Sequence, residues 1–168
     1  MSIDWNWIFQ RPQIIAQHLQ ENYDITVVFP RSILKWRPSY KVAFAHYLAD
    51  YRILWTFPYQ EKNRFIGRMS SWINRRIFRD IYQFQCVWIG YPLYRRYVPG
   101  DYQGKLIYDC MDNHEAMYPY QKGLKKLLEQ DRILAETCDV LFVSGRKLGC
   151  RMARLVKEAY MSFWSMAC

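Results

Sequence analysis

The sequence predicts an α/β fold in which a doubly wound, mostly parallel sheet carries helices on both faces. Three observations support this class: short apolar runs recur along the chain, proline follows several of them closely, and amphipathic stretches separate them. The apolar runs at 105–109 and 139–144 are continuous rather than alternating, as in strands that are buried on both faces of a parallel sheet. No repeat, low-complexity tract or Gly/Ser linker interrupts this order, so we expect one domain.

Each element is predicted from its own local signals. Pro12 suits the first turn of a helix whose inner face would carry Ile14, Ile15 and Leu19. Three of the apolar runs end at a proline, which lacks the N–H that a strand ladder uses. The predicted strands are 24–30, 52–58, 86–92, 105–109 and 139–144, and the predicted helices are about 12–22, 63–82, 121–136 and 145–158.

Composition restricts the classes of function. The chain has 168 residues, of which 51% are hydrophobic and 18% aromatic, enough to build one core. Its apolar runs are far shorter than the roughly 20 residues that cross a bilayer, and Asp4 and Arg11 argue against a secretory signal, so we expect a cytoplasmic protein. The five cysteines form no C-x-x-C pair, and we predict neither a disulfide framework nor a metal site.

The net charge of +9 is compatible with three kinds of partner: nucleic acid, an anionic membrane surface, or a phosphorylated small molecule. One basic stripe is found on the predicted helix 63–82. At about 100° per residue, its arginines fall within about 60° of one another, with Trp72 and Phe78 beside them. The stripe consists of Arg64, Arg68, Arg75 and Arg79. Such a helix suits the surface of an anionic bilayer, and an ordinary solvated face is the alternative.

Two segments, 5–13 and 107–114, place polar side chains where a loop meets a regular element. Ligand sites of open α/β sheets usually lie at such junctions, so the two segments predict a binding cleft. Arg11 would lie at the N-terminus of the first helix, where its guanidinium and the free backbone N–H groups could hold a phosphate or carboxylate. The structural alternative is that Arg11 pairs with Asp4 or caps a neighbouring loop.

Six blocks of the chain together resemble a known family. They are Ile3-Asp4-Trp5, Gln10-Arg11-Pro12-Gln13, Trp88-Ile89-Gly90-Tyr91-Pro92, Ile107-Tyr108-Asp109-Cys110-Met111-Asp112, a helix with Glu129, and Asp139-Val140-Leu141-Phe142-Val143-Ser144 with Leu148. In order, spacing and chemistry these blocks resemble the N-terminal domain of GT-B fold glycosyltransferases of the family 4 type. The resemblance covers about residues 2–156.

The resemblance implies a Rossmann-like domain that contributes the acceptor side of a glycosyltransferase. Such enzymes move a sugar from a nucleotide-sugar donor to a polysaccharide, cell-wall or lipid-linked acceptor, and need no further cofactor or metal for donor binding. The donor would be bound by a second, C-terminal Rossmann-like domain, which has no counterpart in these 168 residues. We therefore expect the chain to be inactive alone, and to act in the cytoplasm or at the inner face of the membrane.

The resemblance also suggests site residues. A glycosyl transfer needs a base or polar groups to orient and deprotonate an acceptor hydroxyl, and Asp112 and His114 are the catalytic candidates. His114 could equally be a surface or helix-capping residue, and Asp109 a structural anchor of its loop. The predicted substrate-binding residues are Trp5, Gln10, Arg11, Gln13, Tyr91, Asp109 and Asn113.

The sequence departs from the family pattern at both ends. A first hydrophobic strand is expected before the Ser2-Ile3-Asp4-Trp5 block, and a further strand and a turn are expected after the helix 145–158. We therefore predict a domain at 1–158 that lacks its first strand, followed by an aberrant hydrophobic tail at 159–168, as in a truncated or frame-disrupted gene product.

Two other functions stay open at this point. The net charge and the abundant tyrosine and tryptophan would suit a nucleic-acid-binding module. Against that function, the aromatic residues lie mostly within apolar runs, and the sequence contains no recognised nucleic-acid-binding motif. The other alternative is a non-catalytic α/β module that binds an anionic surface or acts as a scaffold.

Overall fold

The computed structural model describes residues 11–35, 50–60, 63–117, 120, 123–153 and 160–163. These residues form helices and parallel strands, which confirms the predicted α/β class. The chain divides into two compact units, Met1–Arg79 and Asp80–Cys168. The described strands accordingly belong to two sheets, where the sequence predicted one. None of the described helices is long and apolar enough to cross a membrane.

The first unit contains two helices and a two-stranded parallel sheet: α1 (Arg11–Leu19), β1 (Thr26–Ser32), β2 (Asp50–Thr56) and α2 (Arg64–Arg75). β1 and β2 pair in register from Thr26 opposite Asp50 to Ser32 opposite Thr56. A small core forms around Phe29 of β1 and Ala16 of α1. β1 continues through Pro30, so the expectation that proline ends this strand is wrong.

The buried face of α1 differs in part from the one expected, because Ile15 and Leu19 are half-buried but Ile14 is not. Gln13 and Ala16 are buried, whereas Ile14 is 43% exposed. The helical period groups residues that share a face of α1, but it does not determine which face packs against the short sheet. The small side chain of Ala16 lies in the core with Phe29.

Polar side chains attach α2 to the end of β2. Asn74 is buried and pairs with the main chain of Trp55: its Oδ1 accepts from Trp55 N at 3.0 Å and its Nδ2 donates to Trp55 O at 2.8 Å. Ser70, also buried, donates to Oε1 of Gln60 at 2.9 Å. Gly67 permits this approach, because a Cβ there would lie 2.7 Å from the carbonyl oxygen of Gln60. The two buried residues of α2 are therefore both polar.

The second unit contains a four-stranded parallel sheet. Its elements are β3 (Cys86–Ile89), β4 (Lys105–Cys110), α3 (His114–Met117), α4 (Leu124–Thr137), β5 (Val140–Val143), α5 (Arg146–Ala153) and β6 (Tyr160–Phe163). The strand order is β3-β4-β5-β6, so each strand lies beside the next in sequence. Successive right-handed crossovers in one direction place their helices on one face. Contacts agree, since Asp131 of α4 meets both Tyr108 of β4 and Arg151 of α5.

Two predicted boundaries change. The predicted helix 63–82 is α2 followed by the 3-10 turns Arg76–Phe78 and Ile81–Gln83. Residues 160–163, which lie in the segment predicted to be an aberrant tail, form strand β6 and pair in parallel with β5. A parallel ladder is made by main-chain groups, so it does not require the alternating pattern that this segment lacks.

Asn74→Ala should destabilise the first unit. The substitution removes both hydrogen bonds to Trp55 and leaves the main-chain N–H and C=O of Trp55 without these partners. We expect the free energy of unfolding to fall by about 1–3 kcal/mol. Arg75→Ala, at the exposed neighbouring position, is the matched control and should change this free energy by less than about 0.5 kcal/mol. Denaturant unfolding followed by circular dichroism measures both, and equal midpoints would contradict the role given to Asn74.

Candidate functional site

An open cleft of about 480 Å³ lies in the second unit, at the carboxyl ends of β4 and β5. Ligands of open α/β sheets bind at this edge of the strands. Ser144, directly after β5, donates a hydrogen bond from Oγ to the carbonyl oxygen of Met111 at 2.6 Å, which joins the loops after the two strands. The lining residues are Met111, Asn113, Ser144, Gly145, Arg146, Lys147 and Leu148.

Two cations stand at the first turn of α5 on the wall of this cleft. Arg146 and Lys147 are both exposed, and neither pairs with a carboxylate among the residues that the structure describes. The first backbone N–H groups of a helix have no acceptor within it, and the helix dipole adds positive potential at this end. The cleft wall is therefore suited to a negatively charged group.

The loop after β4 brings an amide to the cleft and an exposed carboxylate beside it. Asn113 Oδ1 accepts hydrogen bonds from Ala116 N at 3.3 Å and from Nη1 of Arg151 at 3.1 Å. The first bond caps the short helix α3, and the second fixes the loop to α5. Asp112 precedes Asn113 and is exposed to solvent. Of the two predicted catalytic residues, Asp112 is the one that a ligand in solvent can reach.

His114 is buried, with 5% of its surface exposed. Its ring meets that of Tyr91 edge-on, with 5.9 Å between the centroids and 89° between the planes. Nδ1 has no hydrogen-bond partner among the described residues. Burial lowers the pKa of His114, although the nearby Asp131 and Asp112 carboxylates act in the opposite direction. The imidazole therefore favours its neutral form and packs behind the loop that carries Asp112.

A buried network that sequence reasoning missed lies next to His114. Asp131 of α4 is fully buried, accepts a hydrogen bond from the hydroxyl of Tyr108 and lies 3.6 Å from Nη2 of Arg151. Burial raises the pKa of Asp131, while the Tyr108 hydrogen bond and Arg151 lower it. Burial also raises the pKa of the Cys110 thiol to about 12, so this cysteine is a thiol rather than a thiolate at neutral pH.

One sequence signal could have identified Asp131. It lies between Leu127 and Leu134, at the i+4 position of an apolar stripe whose other members are buried. A charged residue on such a stripe needs a buried partner, because an unpaired buried charge is costly. That partner comes from another element, so the stripe alone does not reveal it.

The remaining predicted site residues are distributed over both units. Asp109 is buried in β4, and Tyr91 is half-buried, with its ring 5.3 Å from that of Tyr94. Arg11 is half-buried and Gln13 is buried, both in α1 of the first unit. Trp5 and Gln10 lie outside the described residues. Within the described ranges, no group of three or more His, Cys, Asp or Glu residues could hold a metal ion.

The buried His114 predicts a pH dependence of stability. Its pKa is lower in the folded chain than the ordinary value of about 6.5, so the unfolded chain binds the proton more readily. The stability that neutral His114 supplies is complete above about pH 6.5 and is lost as the pH falls through and below that value. We expect the free energy of unfolding to fall from pH 7.5 to pH 5.5, and His114→Gln to reduce that fall.

Urea unfolding across this pH range measures the effect. The raised pKa of Asp131 has the opposite sign, because the folded chain then holds the proton more tightly, so the informative quantity is the difference between wild type and variant. His18→Gln, at an exposed histidine of α1, is the matched control. Equal pH slopes for wild type and His114→Gln would contradict the assignment.

Comparisons with protein-family models, curated proteins and solved structures found no match to this chain. A functional assignment therefore depends on the chemistry of the cleft. Two cations stand at the start of α5, an exposed carboxylate lies on the loop after β4, and a buried imidazole packs behind that loop. The cleft therefore presents positive charge to a ligand, and an exposed carboxylate follows in the adjoining loop.

Proposed function

We propose that this chain is the acceptor-side domain of a glycosyltransferase, the Rossmann-like N-terminal half of a GT-B fold. The observation that carries the proposal is the cleft at the carboxyl ends of β4 and β5, with Arg146 and Lys147 on its wall. Two further features support it. Each unit contains a parallel sheet whose neighbouring strands are successive in sequence, which is compatible with a Rossmann-like fold, and the motifs of the sequence resemble this family.

Within this proposal, the acceptor carries a negative charge close to the hydroxyl that receives the sugar. Arg146 and Lys147 hold the anion, such as the phosphate of a lipid-linked or phosphorylated sugar. The amide of Asn113 is held in place by Arg151 and lines the cleft. Asp112 is the general base that takes the proton of the attacking hydroxyl.

His114 has an indirect role in this assignment. Because it is buried against Tyr91, it positions the loop that carries Asp112 and Asn113 and does not exchange protons with the acceptor. The nucleotide-sugar donor binds to a second Rossmann-like domain, and this chain alone does not turn it over. We place the reaction in the cytoplasm, at or near the inner face of the membrane.

The double variant Arg146→Gln/Lys147→Gln should weaken acceptor binding by roughly tenfold or more, because it removes both charges that face the anion. Suitable probes are inorganic phosphate, a neutral oligosaccharide and a polyprenyl-phosphate analogue, each titrated into the full chain by calorimetry. Lys125→Gln/Lys126→Gln removes the same charge from exposed positions of α4 and should leave binding unchanged.

The same titrations include nucleotide sugars. The proposal expects the phosphorylated acceptor analogue to bind more tightly than any nucleotide sugar. Equal weakening by both double variants would show that only net charge matters, and tight binding of a nucleotide sugar would assign the chain to the donor side. Either result would overturn the proposal.

A further inference from the structure

The outward face of α2 combines large apolar side chains with arginines. Phe65 is 75% exposed, Trp72 is 62% exposed and Met69 is 38% exposed. At about 100° per residue they fall within an arc of about 60°, next to the arc of Arg64, Arg68 and Arg75. An apolar stripe and a basic stripe therefore run side by side along the exposed helix.

The arginines of this face are available for an external partner. Arg64, Arg68, Arg75, Arg76 and Arg79 are all exposed, and none forms an ion pair with a carboxylate in the part of the chain that the structure describes. The guanidinium carbon of Arg76 lies 4.7 Å from the centroid of the Trp72 ring. This contact keeps a cation over the aromatic ring without neutralising its charge.

The opposite side of the helix explains why these apolar side chains face solvent. Asn74 and Ser70 form hydrogen bonds to Trp55 and Gln60, which fixes the rotation of α2 about its axis. Turning the stripe inward would break those bonds and leave buried polar groups without partners. The exposed stripe is therefore held in place by the fold.

We infer that this face of α2 binds the interface of an anionic lipid bilayer. Phe65, Met69 and Trp72 would enter the headgroup region, where aromatic and other apolar side chains of interfacial helices are buried. The neighbouring arginines would pair with lipid phosphates. Nucleic acid would use the same cations, but it offers no apolar layer for Met69 or for the whole stripe. The inference concerns the first unit and does not rest on the proposed transfer reaction.

The test is co-sedimentation of the full chain with phosphatidylcholine vesicles, with and without phosphatidylglycerol. Arg68→Gln/Arg75→Gln should weaken binding to the anionic vesicles by roughly tenfold or more, and added salt should weaken the wild type. Lys125→Gln/Lys126→Gln removes the same charge from α4 and should bind as the wild type does. Phe65→Ser/Trp72→Ser should also weaken binding, whereas Tyr120→Ser, at a 97% exposed tyrosine, should not.

Circular dichroism verifies that each variant is folded, and Arg68→Lys/Arg75→Lys should retain most of the binding because it keeps the charge. Three outcomes would overturn the inference: wild-type binding that does not distinguish the two vesicle types, equal loss in the α2 variants and their matched controls, or binding to an oligonucleotide with none to anionic vesicles. Self-association through α2, detected by sedimentation without lipid and abolished by Phe65→Ser/Trp72→Ser, would also overturn it if vesicle binding were absent.

Discussion

The buried carboxylate of Asp131 is the contact on which the second unit depends. Its two oxygens meet different elements, since Tyr108 of β4 donates to one and Arg151 of α5 faces the other. Removing one partner from a buried charge costs more than the contact itself contributes, because the charge stays desolvated. Asp131 therefore holds α4, α5 and β4 together. Because its carboxylate is fully buried, solvent does not offer it a substitute for either partner.

Arg151 extends this constraint to the candidate site. Its guanidinium contacts Asp131 inside and Asn113 on the loop after β4, so the same residue fixes the position of the cleft's amide. Arg146, more than one turn earlier in α5, has no such internal partner among the described residues. In α5, Arg151 near the C-terminal end therefore has a structural role. Arg146 and Lys147 at the N-terminal end face the cleft, where the helix dipole adds further positive potential.

The sequence predicted the strands well and the tertiary contacts less well, for a physical reason. Continuous apolar runs identify β4 and β5, because strands that are largely buried on both faces leave a local pattern. A helical period, however, shows only which residues share a face. It could not show that Ile14 is exposed, that His114 is buried, or that Asp131 has partners on β4 and α5. Those outcomes depend on groups that are distant in sequence.

In α2, the sequence pattern does not show that the most deeply buried side chains are polar. Its two buried positions are Ser70 and Asn74, and the half-buried Ile66 and Ile73 lie next to them on the side opposite to the arginines. Asn74 both accepts a hydrogen bond from the main chain of Trp55 and donates one to it. Hydrogen bonds from a helix side chain to the main chain of a strand can thus fix the rotation of a helix about its axis. Phe65 and Trp72 are exposed for the same reason, because a rotation of α2 that buries Asn74 leaves the opposite side of the helix in solvent.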